Sequence, residues 1–272
     1  VSDDVVWGAV AVELVHLCSL YHDDVMDEAT TRRTVASVNA RWGNLQAILA
    51  GDYLLAKASE IASSLGTEIA GLLARTIGRL CEGQVLELQH TYDVGRTEVA
   101  YLTSIEGKTA ALYATACRIG ALTAGLSTEA VAALTEFGRQ FGMAFQIVDD
   151  ILDVTATDEQ LGKPAGHDLI EGVYTLPVLR VLARDDEAAA SLRALLGSPL
   201  TDDQMHQARA LVRDSGEVGS SLEVARTHVE GAVSALHGCD ALAGREATEV
   251  LSQATRHLLS AADAIVVSCA SS

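Results

Sequence analysis

The chain has 272 residues and a formal net charge of −18, from 37 acidic and 19 basic side chains. Non-specific nucleic-acid binding requires a basic surface, so this charge argues against a nucleic-acid partner. Hydrophobic residues make up 49% of the chain and only 3 residues are proline. No linker-like or low-complexity stretch divides the sequence. We therefore expect an all-α protein with a single domain over residues 1–272, built as a helical bundle around a central cavity.

The cysteines and the apolar runs bear on location. The chain contains no Cys-x-x-Cys pair and an odd number of cysteines, which is typical of core residues in a reducing compartment: Cys18, Cys81, Cys117, Cys239 and Cys269. No apolar run reaches the length of a membrane span, and no signal peptide is visible. We expect a cytoplasmic protein.

Helical periodicity and capping residues recur along the chain. Ser2 and Asp3 can cap a helix that starts near Asp4 and runs to residue 23, and Ser127 can cap a long helix. Tyr92 to Arg96 is typical of a loop. The other predicted helices cover residues 46–64, 67–89, 128–154, 202–214, 218–236 and 243–269.

Two stretches, residues 23–27 and 149–153, read Asp-Asp-x-x-Asp inside apolar helical runs. Residues four apart share a helix face, and like charges at that spacing repel each other. Mg²⁺ relieves such repulsion and takes one or two carboxylates, several waters and phosphate oxygens. One motif alone fits a helix cap or a solvated stripe, but two matched copies favour the cation. The metal-ligand candidates are Asp23, Asp27, Asp149 and Asp153.

Basic and polar residues near these motifs suit phosphate. Arg32-Arg33 supplies two guanidinium groups that can bind phosphate with two hydrogen bonds each. Gly107-Lys108-Thr109 lacks the upstream glycine and strand of a phosphate loop, although Gly107 inside a helix indicates close approach of another group. The Gly/Pro-rich residues 162–169 are typical of a loop that closes over bound phosphate. From periodicity alone, His16 is a core residue.

Taken together, these motifs resemble the trans-isoprenyl diphosphate synthases, and the resemblance runs from about Val12 to Leu179. It is carried by both acidic motifs, Phe145-Gln146, Arg32-Arg33, Lys108-Thr109 and Gly162-Lys163-Pro164-x-Gly166-x-Asp168-Leu169. The run from Glu13 to Asp24 is most similar to the long-chain polyprenyl diphosphate synthases.

The resemblance implies roles for individual residues. Asp23, Asp27 and Asp149 would be magnesium ligands for about three ions, while Asp24, Asp150 and Asp153 would support them or orient metal-bound water. Arg33 and His16 would bind isopentenyl diphosphate. The residues that would bind the allylic diphosphate or act in catalysis are Arg32, Lys108, Thr109, Gln146 and Lys163.

Some family features are missing or altered. The Gly-Lys-x-Arg segment that contributes to the isopentenyl diphosphate site is not in this sequence, so we expect the N-terminal helices of the family to be missing from it. Thr34-Val35-Ala36 replaces the usual Gly-x-Pro, and Val173 stands where many relatives have lysine. These departures bear on loop shape and on one phosphate contact.

The implied activity is Mg²⁺-dependent condensation of isopentenyl diphosphate with an allylic prenyl diphosphate, in a homodimer that contacts a membrane peripherally during product release. No aromatic residue precedes the first motif by one or two turns, where Cys18, Ser19 and Val15 lie, so we expect a long all-trans product. A class I terpene cyclase and a regulatory subunit of a heteromeric synthase stay open as alternatives. The repeated Asp-Asp-x-x-Asp argues against the cyclase.

Overall fold

The structure, a computed structural model, describes residues 2–32, 35–157, 159 and 165–270, with only the backbone at residues 261, 265 and 267–270. The all-α prediction is confirmed, because a two-stranded hairpin, β1 (Thr31–Arg32) and β2 (Val35–Ala36), is the only sheet in this part of the chain. The helices are α1 (Asp3–Met26), α2 (Val38–Trp42), α3 (Asn44–Ser64), α4 (Thr67–Gln89), α5 (Glu98–Ile105), α6 (Ala111–Thr123), α7 (Thr128–Thr155), α8 (His167–Glu171), α9 (Leu176–Leu182), α10 (Glu187–Leu195), α11 (Asp202–Asp214), α12 (Glu217–His237) and α13 (Glu246–Ala270).

Helix α1 delivers the first acidic motif and packs against α3 and α6. Ser2 caps it by accepting a hydrogen bond from the Val5 N–H at 3.4 Å, and Asp3 and Asp4 in the first turn suit the positive end of the helix dipole. Contrary to the prediction, α1 is long and apolar enough to span a membrane by length and composition, with a mean hydropathy of 1.4 over an 18-residue window. Length and composition alone are weak evidence, because the central helix of a globular protein passes the same test.

Helix α7 is the centre of the largest core cluster and carries the second acidic motif. Ser127 caps it through the Ala130 N–H at 3.3 Å, as predicted, so a 28-residue helix starts at Thr128. Its apolar face includes Ile147 and Ile151, both fully buried against α9, α11 and α12. Because that face is fixed in the core, the second acidic motif lies on the other side of the same helix, where Asp150 lines the cavity described below.

A π-helical turn, Glu106–Ala110, joins α5 to α6. Helix α4 crosses this turn at Gly83 so closely that a Cβ on Gly83 would lie 2.4 Å from the backbone nitrogen of Lys108. A Cβ on Gly107 would lie 2.9 Å from the Arg79 carbonyl oxygen. The close approach predicted at Gly107 is therefore confirmed, and the group that approaches is the backbone of α4.

Most predicted helix bounds agree with the structure within three residues, and those of α4 and α11 agree fully. The differences lie in short elements. The segment after the first motif, for which no helix or strand is predicted, contains the β1–β2 hairpin, and α2 follows it directly. Helices of five residues, such as α2, carry too little periodicity to be recognised in a sequence.

Candidate active site

A cavity of about 400 Å³ lies where the C-terminal end of α1 meets α4, α5, the π turn, α7 and α8. Its lining is strongly acidic: six carboxylate side chains face one cation, Lys108, among the described lining residues. The two acidic motifs meet here, because Asp27 and Asp150 line the same cavity. The acidic lining residues are Asp27, Glu28, Glu87, Asp150, Asp168 and Glu171.

The first acidic motif lies at the end of α1, and its three aspartates have different environments. Asp23 is half-buried, and burial raises its pKa although Lys108 and Arg32 act in the opposite direction. Asp27 caps α1 and is exposed at the cavity mouth. Its pKa rises to about 6, because the surrounding walls desolvate it and Glu171 and Asp23 add like charge. Both carboxylates would therefore be stabilised by a cation.

Asp24, the middle residue of the first motif, is buried and holds Arg32. The carboxylate accepts hydrogen bonds from Arg32 Nε at 2.9 Å and Nη2 at 2.5 Å, both at Oδ1. The Asp24 carbonyl accepts one from the Asn39 side chain at 2.9 Å. Arg32 does not line the cavity, but its side chain is 40% exposed and tethered beside the first motif.

The second acidic motif lies on the C-terminal half of α7. Asp149 is half-buried, whereas Asp150 is 4% exposed and accepts hydrogen bonds from Tyr101 Oη at 2.5 Å and Gln146 Nε2 at 2.8 Å. Burial raises the pKa of Asp150 to about 7, against the opposing effect of both hydrogen bonds, and the charge of Asp149 adds to the rise. Asp153 differs from both, since it is 1% exposed and its oxygens accept backbone hydrogen bonds.

The π turn places Lys108 in the cavity wall and Thr109 against Gln146, another residue of that wall. Lys108 Nζ donates to Glu87 Oε1 at 2.6 Å, and Thr109 Oγ1 donates to Gln146 Oε1 at 2.8 Å. Burial alone would lower the pKa of Lys108, but Glu87, Asp23 and Asp27 outweigh it and raise the pKa, so the ammonium stays charged. π turns recur at functional sites because they alter which side chains face a ligand.

His16 and the predicted chain-length residues lie along α1 and are not part of the cavity lining. His16 is half-buried, two turns before Asp23. Val15 is close-packed in a cluster with α3, α4 and α6, and Cys18 is 5% exposed with its pKa raised by burial to about 11. Ser19 donates to the His16 carbonyl at 2.8 Å. Their roles stay predictions.

Arg33 and Lys163, predicted to bind diphosphate, lie outside the described residues. Sequence reasoning also missed contributors that the structure places in the cavity wall. Glu87 and Gln84 lie three residues apart among apolar neighbours on α4, a spacing that could have indicated a polar face. Tyr101 and Glu171 gave no comparable signal, because their contacts are set by tertiary packing.

The residues of this cavity fit Mg²⁺ bound together with phosphate. In the described part of the chain, no three His, Cys, Asp or Glu side chains are grouped closely enough to hold an ion by themselves. Mg²⁺ is commonly bound by one or two carboxylates with waters and substrate phosphates. Burial raises the pKa values of Asp23, Asp27 and Asp150, and neighbouring carboxylates add to each rise, so a bound cation would stabilise their charged forms.

Comparison with known proteins gives a consistent set of relatives. The chain is 43% identical over 218 residues to a nonaprenyl diphosphate synthase of Mycobacterium tuberculosis, covering 80% of this chain and 65% of that protein. It is 40% identical over 245 residues to heptaprenyl diphosphate synthase component 2 of Geobacillus stearothermophilus, covering 89% of this chain and 75% of that protein. It is 46% identical over 183 residues to a geranylgeranyl diphosphate synthase of Methanosarcina mazei, covering 65% of this chain and 56% of that protein. The chain thus spans less than two thirds of the length of some of these relatives.

A solved structure agrees with the sequence comparison. The polyprenyl synthase of Caulobacter crescentus, complexed with calcium and isoprenyl diphosphate, superposes with a TM-score of 0.86 at 34% identity, covering 92% of this chain and 76% of that one. The polyprenyl synthetase family model matches residues 2–212, which include both acidic motifs, the π turn and α8. This chain therefore belongs to the polyprenyl synthetase family.

Proposed function

We propose that the chain is a Mg²⁺-dependent prenyltransferase that joins isopentenyl diphosphate to an allylic prenyl diphosphate. The observation that carries the proposal is the acidic cavity in which both Asp-Asp-x-x-Asp motifs meet beside Lys108. Carboxylates alone would repel a diphosphate, and Lys108 alone cannot balance them, so the cavity requires divalent cations to bind that substrate.

Bound Mg²⁺ would neutralise the diphosphate charge that develops as the allylic C–O bond breaks. Asp23, Asp27 and Asp149 would hold the ions. Lys108, oriented by Glu87, would donate to a diphosphate oxygen, with Arg32 and Lys163 as further cationic contacts. Arg33 and His16 would bind isopentenyl diphosphate.

The remaining steps need exclusion of water and stabilisation of positive charge. The Thr109 hydroxyl and the Gln146 amide oxygen, 2.8 Å apart, would lie near the developing allylic cation. The bound substrates would have to exclude water, because water would otherwise quench that cation. The double bond of isopentenyl diphosphate attacks it, and the proton then lost goes to the departing diphosphate.

We expect an all-trans product longer than geranylgeranyl diphosphate, with seven to nine isoprene units favoured. Support comes from the small residues Val15, Cys18 and Ser19 on α1 and from the nonaprenyl and heptaprenyl relatives, although the geranylgeranyl relative shares 46% identity. The described cavity does not extend to these three residues, so chain length needs a direct test.

We also infer a homodimer formed through α3. Leu45, Leu49 and Tyr53 recur every four residues on this helix and are 66%, 58% and 63% exposed. Such an apolar row is unusual on a monomer surface and typical of an interface. Sedimentation should give a dimer that Leu49→Glu dissociates. A monomeric wild-type chain would instead favour a different partner, as the name of the component 2 relative suggests.

We also propose that the protein is cytoplasmic. The experiment that tests the proposed function measures turnover of labelled isopentenyl diphosphate with an allylic diphosphate in Mg²⁺ by the full-length gene product. We expect polyprenyl products, and we expect Asp27→Asn and Lys108→Met to reduce their formation at least 10-fold. Asp240→Asn, an exposed acidic residue outside the cavity, is the matched control. Release of diphosphate without incorporation would indicate a terpene cyclase, and no turnover without a second subunit would indicate a regulatory subunit.

A further inference from the structure

Asp153, the last residue of the second motif, is enclosed by backbone. Oδ1 accepts a hydrogen bond from the His167 N–H at 3.3 Å, and Oδ2 accepts one from the Asp168 N–H at 3.3 Å. The Asp153 carbonyl accepts another from the Gly166 N–H at 2.9 Å. With 1% of its surface exposed, the carboxylate faces the first turn of α8.

These contacts are those of a helix cap. The first N–H groups of a helix lack partners within the helix, and an Asp side chain commonly satisfies them. Gly166, the residue directly before α8, has no side chain to do so. Asp153 supplies this function from α7, fourteen and fifteen residues upstream of the N–H groups that it binds.

The capped helix carries two of the cavity carboxylates. Asp168 and Glu171 of α8 line the cavity, and Glu171 is close enough to raise the pKa of Asp27. The position of α8 therefore determines how far these two carboxylates lie from the first acidic motif. Asp150, one turn before the end of the motif, lines the same cavity directly, whereas Asp153 does not.

Arg209 of α11 contacts the end of α7 close to the point where Asp153 caps α8. It is 7% exposed and donates from Nε to the Val154 carbonyl at 3.0 Å and from Nη2 to the Ala156 carbonyl at 2.6 Å. These carbonyls belong to the C-terminal end of α7, where helix carbonyls lack internal partners. Gly166 packs so closely here that a Cβ would lie 2.7 Å from Arg209 Cδ.

We propose that Asp153 is a positioning residue and not a metal ligand, and that Arg209 is its counterpart. Together they fix α8 against the end of α7, so that Asp168 and Glu171 keep their places opposite the first motif. This inference reassigns one predicted ligand and gives the C-terminal third of the chain, which showed no chemical motif, a part in the site. It rests on the proposed function, because cavity geometry is assayed through Mg²⁺ and diphosphate.

The test compares Asp153→Asn with Asp153→Ala. Asn retains an oxygen that can cap α8 but is a poor replacement for a metal-binding carboxylate, whereas Ala removes both functions. Calorimetry would measure Mg²⁺-dependent binding of an inert allylic diphosphate analogue. We expect Asn to stay within about 3-fold of wild type and Ala to lose about 10-fold, since loss of a cap destabilises the helix that it caps. Equal losses for Asn and Ala would overturn the inference.

Asp149→Asn serves as the ligand comparison and should lose binding as fully as Asp149→Ala. Hydrogen exchange at residues 165–171 gives a second readout that needs no ligand, and exchange there should accelerate more in Asp153→Ala than in Asp153→Asn, which keeps one of the two acceptor oxygens. If wild type shows no Mg²⁺-dependent binding, the proposed function fails, while the exchange result still decides whether Asp153 caps α8. Unchanged exchange in Asp153→Ala would contradict the cap.

Arg209→Met and Arg209→Lys test the second anchor, with Thr201→Ala as a stability control. Thr201 caps α11 in a capping box with Gln204, on the exposed end of the helix that carries Arg209. We expect the Arg209 variants to weaken Mg²⁺-dependent analogue binding about 10-fold, with Lys the milder change, and Thr201→Ala to lower the melting temperature without changing that binding. If Arg209→Met lowers only the melting temperature, Arg209 is a structural residue and this part of the inference is wrong.

Discussion

The crossing of α4 over the π turn makes a sharp prediction for Gly83→Ala. The new Cβ would lie 2.4 Å from the Lys108 nitrogen, 2.8 Å from the Ser104 carbonyl oxygen and 2.9 Å from the Gly107 carbonyl carbon. All three are backbone atoms, so no flexible side chain can move aside. Alanine gains about 1 kcal/mol in helix propensity over glycine. Overpacking a tight contact costs about 1–3 kcal/mol, and a backbone clash belongs at the upper end of that range.

The expected net effect is a loss of about 1–2 kcal/mol in the free energy of unfolding, by the difference of these two terms. For a chain of this size, that corresponds to a melting temperature lowered by about 2–8 °C. The π turn should also shift, and a displacement of about 1 Å at Lys108 can cost up to about 100-fold in turnover. Denaturation and steady-state assays would measure both effects.

Gly78→Ala is the matched control for this prediction. Gly78 is exposed on the same helix, and a Cβ there meets nothing within 4 Å. It should therefore stabilise the protein by up to about 1 kcal/mol and leave turnover unchanged. If Gly83→Ala is as stable and as active as Gly78→Ala, the close crossing does not position the π turn.

Three further predictions follow from the same geometry. Glu87→Gln keeps the shape of the side chain but releases Lys108 from its ion pair. We expect the KM for the allylic diphosphate to change about 10-fold, while the melting temperature stays within about 2 °C of wild type. An unchanged KM would contradict the orienting role of Glu87. Because the folded-state pKa of Asp150 is raised to about 7, the folded protein holds this proton more tightly than the unfolded chain, so without metal the free energy of unfolding should fall as pH rises from about 4 to about 7. Asp150→Asn should flatten that fall in denaturant titrations at several pH values, and an unaltered slope would refute it. Ser19→Phe should shorten the product ladder towards farnesyl or geranylgeranyl diphosphate, whereas an unchanged ladder in an active variant would place the cavity floor elsewhere.

Local sequence signals were sufficient for the helices and for the main site residues. The capping residues Ser2 and Ser127 predict the starts of α1 and α7, and the repeated Asp-Asp-x-x-Asp identifies the two segments that meet at the cavity. Gly107 predicted a close approach without showing its partner. These signals are local because caps and glycines act within a turn or two of their own position.

The rest of the site depends on contacts between residues far apart in sequence. Lys108 meets Glu87 across 21 residues, and Tyr101 meets Asp150 across 49 residues. Helical spacing correctly placed Asp149 and Asp153 on one face, but it could not show that α8 packs over the end of that face and encloses Asp153. The prediction treated the shared face as a shared ligand site, whereas in the structure Asp149 is half-buried and Asp153 accepts hydrogen bonds from the backbone of α8.

The most direct test of the account is calorimetric binding of an inert allylic diphosphate analogue, measured with Mg²⁺ and again in excess chelator. The cavity opposes six carboxylates to one lysine among its described lining residues, so the analogue should bind in Mg²⁺ and lose at least 100-fold in affinity, or about 2.7 kcal/mol, in chelator. Asp27→Asn should weaken the Mg²⁺-dependent binding, while Asp240→Asn should leave it intact. Undiminished binding in chelator would contradict the claim that this acidic cavity binds diphosphate through bridging cations.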